Sequence, residues 1–196
     1  MKYPKGTKRN LNKNIYYGNR GMNLEQDINI TNEYYLINDI AVIHKKPTPI
    51  TVNKVDYPSR IDAVITEAHY KTPSTTDYNG VYKGFYIDFE AKETKNKTSF
   101  PLSNIHSHQI KHIESVIRHG GVSFIIVCFT TVNKLFLLDG NDLIWFINNN
   151  ERKSIPFSYF LEKGILLEYK FQPRIDYLKA IDKLVEVKYE RNNKKN

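Results

Sequence analysis

The sequence predicts an α/β domain in which helices cover both faces of a mixed central β-sheet. Three observations support this fold class. Some segments alternate apolar and polar residues with the period of a strand, whereas others repeat apolar residues at helical spacing. Residues 122–129, Val-Ser-Phe-Ile-Ile-Val-Cys-Phe, are apolar on both faces, as in a strand at the centre of a covered sheet. With 196 residues, of which 40% are apolar, the chain has the size of one such domain.

The first third of the chain predicts one helix and two strands, followed by an ambiguous segment. Residues 22–38 repeat apolar residues at helical spacing, and Asn23 is placed to cap the helix N-terminus. Residues 40–44 and 50–55 are short apolar or alternating segments separated by prolines, and both predict strands. Residues 57–76 fit a helix or a strand, and we expect them to leave the core.

The clearest strand pattern covers residues 81–92, which we interpret as one continuous strand. Its two faces differ in character. The apolar face takes Val81, Phe85, Ile87, Phe89 and Ala91, and the polar face takes Tyr82, Tyr86, Asp88, Glu90 and Lys92.

The second half of the chain predicts elements that complete the sheet and its covering helices. A helix over residues 105–119 ends at two consecutive glycines. Later segments show either apolar runs or helical periodicity. They predict strands over 122–129, 134–138 and 165–171, short helices over 142–148 and 156–162, and an amphipathic helix over 174–187.

Composition excludes several classes of protein. The longest apolar run is far shorter than the about 20 residues needed to span a bilayer. The first residues have no apolar core, so we expect no secretory signal. The one cysteine, Cys128, excludes a disulfide within the chain and favours a reducing compartment. We therefore expect a cytoplasmic protein with no membrane segment, and we exclude a zinc finger.

Basic residues are concentrated at the two ends of the chain. Lys and Arg number 29 against 21 Asp and Glu, a formal charge of +8. Residues 1–20 form a basic arm before the first acid, Glu25, and residues 188–196 form a basic tail. Such segments neutralise phosphates in nucleic-acid binding, although a merely solubilising role fits the same composition.

The polar face of the 81–92 strand carries the chemistry. Asp88, Glu90 and Lys92 stand in line on one face of a rigid element. A Glu-x-Lys pair at this spacing suits a magnesium-dependent phosphodiesterase, because the carboxylate holds the cation and the ammonium reaches the charged transition state. Taken alone, the pair is more often a solvated strand face.

A second acid upstream strengthens this interpretation. Asp77 precedes the strand at a turn, which gives the pattern of PD-(D/E)xK nucleases with Thr76 in place of the usual proline. Asp77 and Glu90 would then hold Mg²⁺ from two sides, with Thr75 as a further oxygen ligand. Asp88 is the competing first acid, and we rank it second because the first acid usually comes from a separate position.

Polar residues of the 105–119 helix extend the candidate site. Gln109 shares the inward stripe of this helix, so its amide either assists the metal or orients a ligand, unless it simply bonds to the backbone. His108 and His112 have the spacing of zinc ligands, but a helix start that faces phosphate explains them as well.

Several charged residues outside the motif are candidate DNA contacts. Lys45, Lys46, Lys95 and Lys97 suit phosphates, although each could be an ordinary solvated lysine. Glu25 either lies near the metal cluster or stabilises the positive end of its helix.

Long contiguous segments over residues 19–177 closely resemble the RecU family of Holliday junction resolvases. These segments are Asn19-Arg-Gly-Met-Asn-Leu-Glu, Ile43-His-Lys-Lys-Pro-Thr-Pro-Ile, Val55-Asp-Tyr-Pro-Ser-Arg, Ser74-Thr-Thr-Asp-Tyr-Asn-Gly, Tyr86-Ile-Asp-Phe-Glu-Ala-Lys-Glu-Thr-Lys-Asn-Lys-Thr-Ser-Phe-Pro-Leu and Pro173-Arg-Ile-Asp-Tyr.

The resemblance implies a restriction-endonuclease-like core over residues 1–196, with a projecting stalk at about 57–72. It implies a homodimeric Mg²⁺-dependent endonuclease, with Mn²⁺ as a substitute, that cuts four-way DNA junctions in recombination and repair. It also implies dealings with a recombinase filament and branch-migration proteins. The family's metal ligands fall on Thr75, Asp77, Glu90 and Gln109, its transition-state lysine falls on Lys92, and its basic stalk position falls on Arg60. Arg20, in the basic arm, is a further candidate DNA contact.

Two other functions fit the same residues. The chain could be a nuclease that acts on ordinary duplex DNA. It could also be a junction-binding architectural protein or a regulator of the recombinase, with the acids serving structure alone.

Overall fold

The computed structural model of the chain describes residues 23–59, 61–71 and 75–193. Helices and strands alternate along this part of the chain. They are α1 (Leu24–Ile37), β1 (Val42–Lys45), β2 (Ile50–Asp56), β3 (Val64–Tyr70), β4 (Tyr78–Tyr82), β5 (Phe85–Thr94), β6 (Ser99–Pro101), α2 (Ser107–Arg118), β7 (Val122–Phe129), β8 (Lys134–Asp139), α3 (Gly140–Asn149), β9 (Ser154–Pro156), α4 (Phe157–Lys163), β10 (Ile165–Leu167) and α5 (Leu178–Asn193).

Within these residues, a six-stranded sheet has the order β1-β4-β5-β7-β8-β10. The β5–β7 pair is parallel and its other pairs are antiparallel, so the sheet is mixed. Along β7 successive side chains enter different cores: Phe124 packs beneath α1 and α5, and Ile125 packs beneath α2 and α3. The predicted α/β fold with a covered mixed sheet is confirmed, and the two cores explain why β7 is apolar throughout.

Helix α1 and the segment before α5 are bonded to each other. The Asn23 side chain accepts a hydrogen bond from the Gln26 N–H, which confirms the predicted cap. The helix predicted over 174–187 begins only at Leu178. The residues expected to form its first turn bond to α1 instead. Arg174 Nε donates to Asp27 (2.9 Å), and the Ile175 N–H donates to Thr31 Oγ1 (2.9 Å).

The strand predicted over 81–92 is wrong as one continuous element. The chain turns at Lys83 and Gly84, whose φ angles are 49° and 81°, and these residues join β4 to β5 as an antiparallel hairpin. Val81 is therefore half exposed on β4 rather than part of the apolar face of β5. A glycine preceded by a polar residue is the signal that marks this turn.

Strands β2 and β3 form a two-stranded sheet of their own, here called the hairpin (Ile50–Tyr70). Every residue of its two strands except Thr51 is exposed. The stalk expected at about 57–72 falls on this hairpin, which already begins at Ile50. Residues 57–59 and 61–63 lie between its strands, and Val64–Tyr70 is the returning strand β3. Residues 60 and 72 lie outside the described residues.

Two other predicted boundaries are wrong. The strand predicted over 165–171 ends at Leu167, and residue Tyr169 makes only an isolated bridge with Ile175. Helix α5 continues to Asn193, through most of the basic segment expected as a tail.

The arm over residues 1–20 lies outside the described residues. Among the described helices, not one combines the length and the apolar character that a bilayer crossing requires.

We predict that Gly80→Ala destabilises the pairing of β1 with β4. A Cβ at Gly80 would lie 2.0 Å from the Val42 carbonyl oxygen and 2.6 Å from Ile43 Cα, both backbone atoms. Overpacking of this kind costs about 1–3 kcal/mol of unfolding free energy, measured by urea denaturation. The control Val81→Thr, at a half-exposed neighbour, should stay within about 0.5 kcal/mol of the wild type. Equal stability of the two variants would contradict the prediction.

Candidate active site

Strand β5 positions the candidate residues through its alternation. Ile87, Phe89 and Ala91 enter the core beneath α1 and α5. Asp88 and Glu90 point to the opposite face, toward α2, and both are fully buried, while Lys92 on this face is partly exposed. Because β5 pairs with β4 on one side and β7 on the other, this row stands on a rigid strand within the sheet.

Glu90 is the centre of the candidate site. Its Oε1 accepts hydrogen bonds from the Lys92 ammonium and from Gln109 Nε2, the latter at 2.6 Å. Its Oε2 accepts a hydrogen bond from the backbone N–H of Asp77 at 3.0 Å. The structure therefore brings four of the predicted residues together: Asp77, Glu90, Lys92 and Gln109.

The pKa of Glu90 is raised to about 7, and burial is the largest cause. A hydrogen bond with Asp77 and the charge of that carboxylate also contribute to the rise, whereas Lys92 opposes it. A buried carboxylate that lies next to a second acid is stabilised by a cation placed beside it. The acid pair therefore has the chemistry of a divalent-cation site.

Asp77 opens onto a groove beside the strand. The groove has a volume of about 330 Å³, and its lining includes Glu25, Lys45, Thr75 and Asp77. Thr75 is partly buried, and its hydroxyl donates to the Thr76 carbonyl at 3.3 Å. Thr75 thus lines the approach to the acids, where its oxygens are neighbours of Asp77 along the chain.

Gln109 orients Glu90 from helix α2. It is buried, as its position on the inward stripe predicts. Its Nε2 donates to Glu90, and its Oε1 accepts the His106 N–H at 2.9 Å at the start of the helix. Both ends of the amide are thus bonded, which favours the predicted role of orienting a ligand.

Asp88, the competing first acid, is surrounded by donors. Thr76 Oγ1 donates to its Oδ1, and Lys46 Nζ donates to its Oδ2 at 2.8 Å. Tyr86 OH donates to Oδ2 at 3.0 Å, and His112 Nε2 lies 3.2 Å from the same oxygen. This set of contacts favours Asp77 as the first acid. It also gives a reason for threonine where the motif usually has proline, since proline has no hydroxyl to donate.

The basic residues predicted to contact phosphates have different surroundings. Lys46 forms an ion pair with buried Asp88, a contact that the sequence does not predict. Lys45 pairs with Glu25 at the surface, so Glu25 lies on the groove and neutralises a neighbouring lysine. Lys95 and Lys97 are exposed just after β5. Arg20 and Arg60 lie outside the described residues.

Sequence reasoning missed the contacts of Asp88 with Lys46 and His112. These residues are 42 and 24 positions from Asp88, so no spacing rule reveals the contacts.

His108 stacks on His106 with ring centroids 5.4 Å apart, while His112 faces Asp88. In the described part of the chain, no three His, Cys, Asp or Glu side chains gather around a common point. Glu90 and Asp77 offer two carboxylates, and oxygen donors of this kind suit a hard cation.

Comparison with known proteins identifies relatives along most of the chain. The family described as "RecU: Recombination protein U" matches residues 19–183. "Holliday junction resolvase RecU" of Geobacillus sp. (strain WCH70) is 55% identical over 195 residues, covering 94% of this chain and 97% of that protein. The proteins of the same name from Bacillus cereus (strain AH820) and Bacillus anthracis (strain A0248) are each 57% identical over 169 residues, covering 85% of this chain and 84% of the relative.

A solved structure gives a more distant similarity. It is described as Archaeoglobus fulgidus Hjc, a Holliday junction resolvase from an archaeal hyperthermophile. It has a TM-score of 0.43 and 10% identity, and the match covers 72% of this chain and 92% of that chain. The family match and the close relatives are sufficient, and the chain belongs to the RecU family.

Proposed function

We propose that this chain is a Holliday junction resolvase, a metal-dependent endonuclease that cuts four-way DNA junctions in recombination and repair. The observation that carries the proposal is the contact set of Glu90, a buried acid bonded to Asp77, Lys92 and Gln109 on one rigid strand. The relatives named as resolvases, at 55–57% identity over most of the chain, support the substrate class.

Asp77 and Glu90 would hold the cation, Mg²⁺ with Mn²⁺ as a substitute. The donor set fits, because both are carboxylates and the Glu90 carboxylate is desolvated next to a second acid. When bound, a divalent ion polarises a phosphate and lowers the pKa of a water molecule. Thr75 lies at the groove beside Asp77 and would supply a further oxygen. Gln109 would keep the Glu90 carboxylate turned toward Asp77.

Lys92 would stabilise the charge that develops on the phosphate. In the structure its ammonium donates to Glu90, so a positive charge already lies beside the acid pair. Its side chain is partly exposed, which leaves it access to a bound strand. A positioned ammonium next to a phosphate in a water-poor site is worth several kcal/mol, typically about 3.

Substrate geometry follows from symmetry. A homodimer with one such site in each protomer would nick two strands of like polarity across a junction, because a two-fold axis relates both the dimer and the junction. The hairpin would be the stalk that enters the open centre of the junction. The phosphate contacts would come from basic residues: Lys45, Lys95, Lys97, Arg20 and Arg60. The protein would act in the cytoplasm. Its partners would be a recombinase filament and branch-migration proteins.

We predict that Asp77→Asn abolishes cleavage but leaves junction binding nearly unchanged. The substitution keeps the size of the side chain and the backbone N–H bond to Glu90, and it removes one of the two charges that would hold the cation. Cleavage of a labelled synthetic junction with Mg²⁺ should fall at least about 10³-fold, and the Kd measured by mobility shift in EDTA should change less than about threefold. The matched control Glu114→Gln, exposed on α2, removes an equal charge and should cut normally. If Asp77→Asn still nicks, the site assignment is wrong.

Substrate choice separates the proposal from a nuclease that acts on ordinary duplex. A four-way junction and a linear duplex of the same arm sequence should be offered with Mg²⁺, and strand cleavage followed on denaturing gels. We expect paired nicks on the junction and at least about 100-fold slower cutting of the duplex, because the hairpin has no open centre to enter in a duplex. Equal cutting of both would contradict a resolvase. Binding without any cutting would favour an architectural protein.

The raised pKa of Glu90 predicts how the stability of the metal-free protein depends on pH. A pKa of about 7, against 4.5 as the ordinary value, means that the folded state holds this proton more tightly than the unfolded chain. Ionising Glu90 therefore lowers the stability of the folded state. This loss of unfolding free energy is absent below about pH 4.5 and complete above about pH 7. Relative to the wild type, Glu90→Gln should thus gain about 2 kcal/mol of unfolding free energy from pH 5 to pH 8 in EDTA. A difference that stays constant across this range would contradict the burial argument.

A further inference from the structure

Asp88 is a buried charge that the proposed reaction does not use. It stands two residues before Glu90 on the same face of β5, fully enclosed. A buried carboxylate persists in a fold only when its oxygens are well supplied with donors. It receives them from four side chains: Thr76, Lys46, Tyr86 and His112.

Two of these donors lie in the segments that flank the hairpin, residues 46–49 before it and residues 75–77 after it, here called its arms. Lys46 lies just before the hairpin and Thr76 lies just after it, and both bond to Asp88, with Lys46 Nζ also 3.0 Å from Thr76 Oγ1. The Lys46 N–H donates to the Asp77 carbonyl at 2.7 Å, so the arms are joined through the backbone as well. The base of the hairpin is thus fixed at one carboxylate of the central sheet.

The same contact fixes the first acid of the site. Thr76 bonds to Asp88 through its hydroxyl, and the next residue, Asp77, bonds to Glu90 through its N–H at 3.0 Å. The dipeptide Thr76-Asp77 is therefore bonded to β5 at Asp88 and Glu90, two successive residues on the same face of the strand. Because the Asp77 side chain stands on this dipeptide, its distance from Glu90 depends on the bond from Thr76 to Asp88.

We propose that Asp88 is a positioning residue that holds Asp77 against Glu90 and connects the pair to the base of the hairpin. A displacement of either hairpin arm then moves Asp77 relative to Glu90. Contact of the hairpin with branched DNA thereby sets the geometry of the cation site, a consequence that rests on the proposed function. The bonds of Thr76 to Asp88 and of Asp77 to Glu90 do not depend on that function.

Amide hydrogen exchange at Asp77, measured by NMR on the full-length metal-free protein, tests the attachment. Thr76→Val removes one donor and leaves Asp88 paired with Lys46, so the fold should persist. We expect exchange at Asp77 to be about five- to tenfold faster, with the amides of β7 unchanged, and Thr76→Ser should restore the wild-type rate. Unchanged exchange at Asp77, or equal acceleration throughout β7, would overturn the proposal.

The link to the hairpin has its own matched pair of variants. Lys46→Met and Lys45→Met remove the same charge from adjacent residues, but only Lys46 bonds to Asp88. We expect faster exchange at Asp77 in Lys46→Met alone. Equal rates in the two variants would overturn the link.

Mn²⁺ binding measured by electron paramagnetic resonance connects the attachment to the cation site. Thr76→Val should weaken Mn²⁺ binding about tenfold, and Thr76→Ser should restore it. Equal Mn²⁺ affinity in Thr76→Val and the wild type would overturn the proposal.

The outcomes separate the proposed function from the positioning role of Asp88. A wild type that cuts no junction, with the exchange pattern intact, contradicts the proposed function and supports the positioning role. A junction-cutting enzyme whose Asp77 exchange ignores Thr76→Val contradicts the positioning role alone.

Discussion

The burial of two carboxylates on one face of strand β5 is the constraint on which the rest of the site depends. A buried charge costs several kcal/mol unless donors or opposite charges surround it. Asp88 accepts from four side chains. Glu90 accepts from Lys92, Gln109 and the Asp77 N–H, and it also lies next to a second acid. Under the proposed function, one strand would carry a structural acid and, two residues later, an acid that holds a cation.

The sheet makes this arrangement rigid. On the opposite face of β5, the Phe89 ring stacks between Tyr78 and Phe124, with centroids 4.8 Å from each. Helix α2 then closes the polar face with Gln109, whose amide is bonded at both ends. A substrate phosphate would thus meet groups that need little reorganisation, which is the condition for electrostatic stabilisation.

Alternation and helical periodicity predict the main elements and the side on which the candidate residues of β5 and α2 lie, whereas Asp77 comes from the motif. The period of two placed Asp88, Glu90 and Lys92 on one face, and the stripe of α2 placed Gln109 inward. The turn at Lys83 and Gly84 was missed because apolar and polar residues keep their alternation on both sides of it.

The contacts of Asp88 lay beyond any pattern in the sequence. The sequence makes Lys46 a candidate phosphate contact, and no pattern in it links this lysine to Asp88. Its ammonium reaches Asp88 only because β1 pairs with β4, and β4 with β5, which brings distant residues together. Such contacts follow from strand order, and strand order is decided by the packing of the whole sheet.

The position of Mn²⁺ in crystals of the wild-type protein, located by anomalous scattering, tests the central claim most directly. We predict one peak within coordination distance of carboxylate oxygens from both Asp77 and Glu90, with the Lys92 ammonium displaced from Glu90. A peak at Asp88, or none between Asp77 and Glu90 under conditions that support cleavage, would contradict the account.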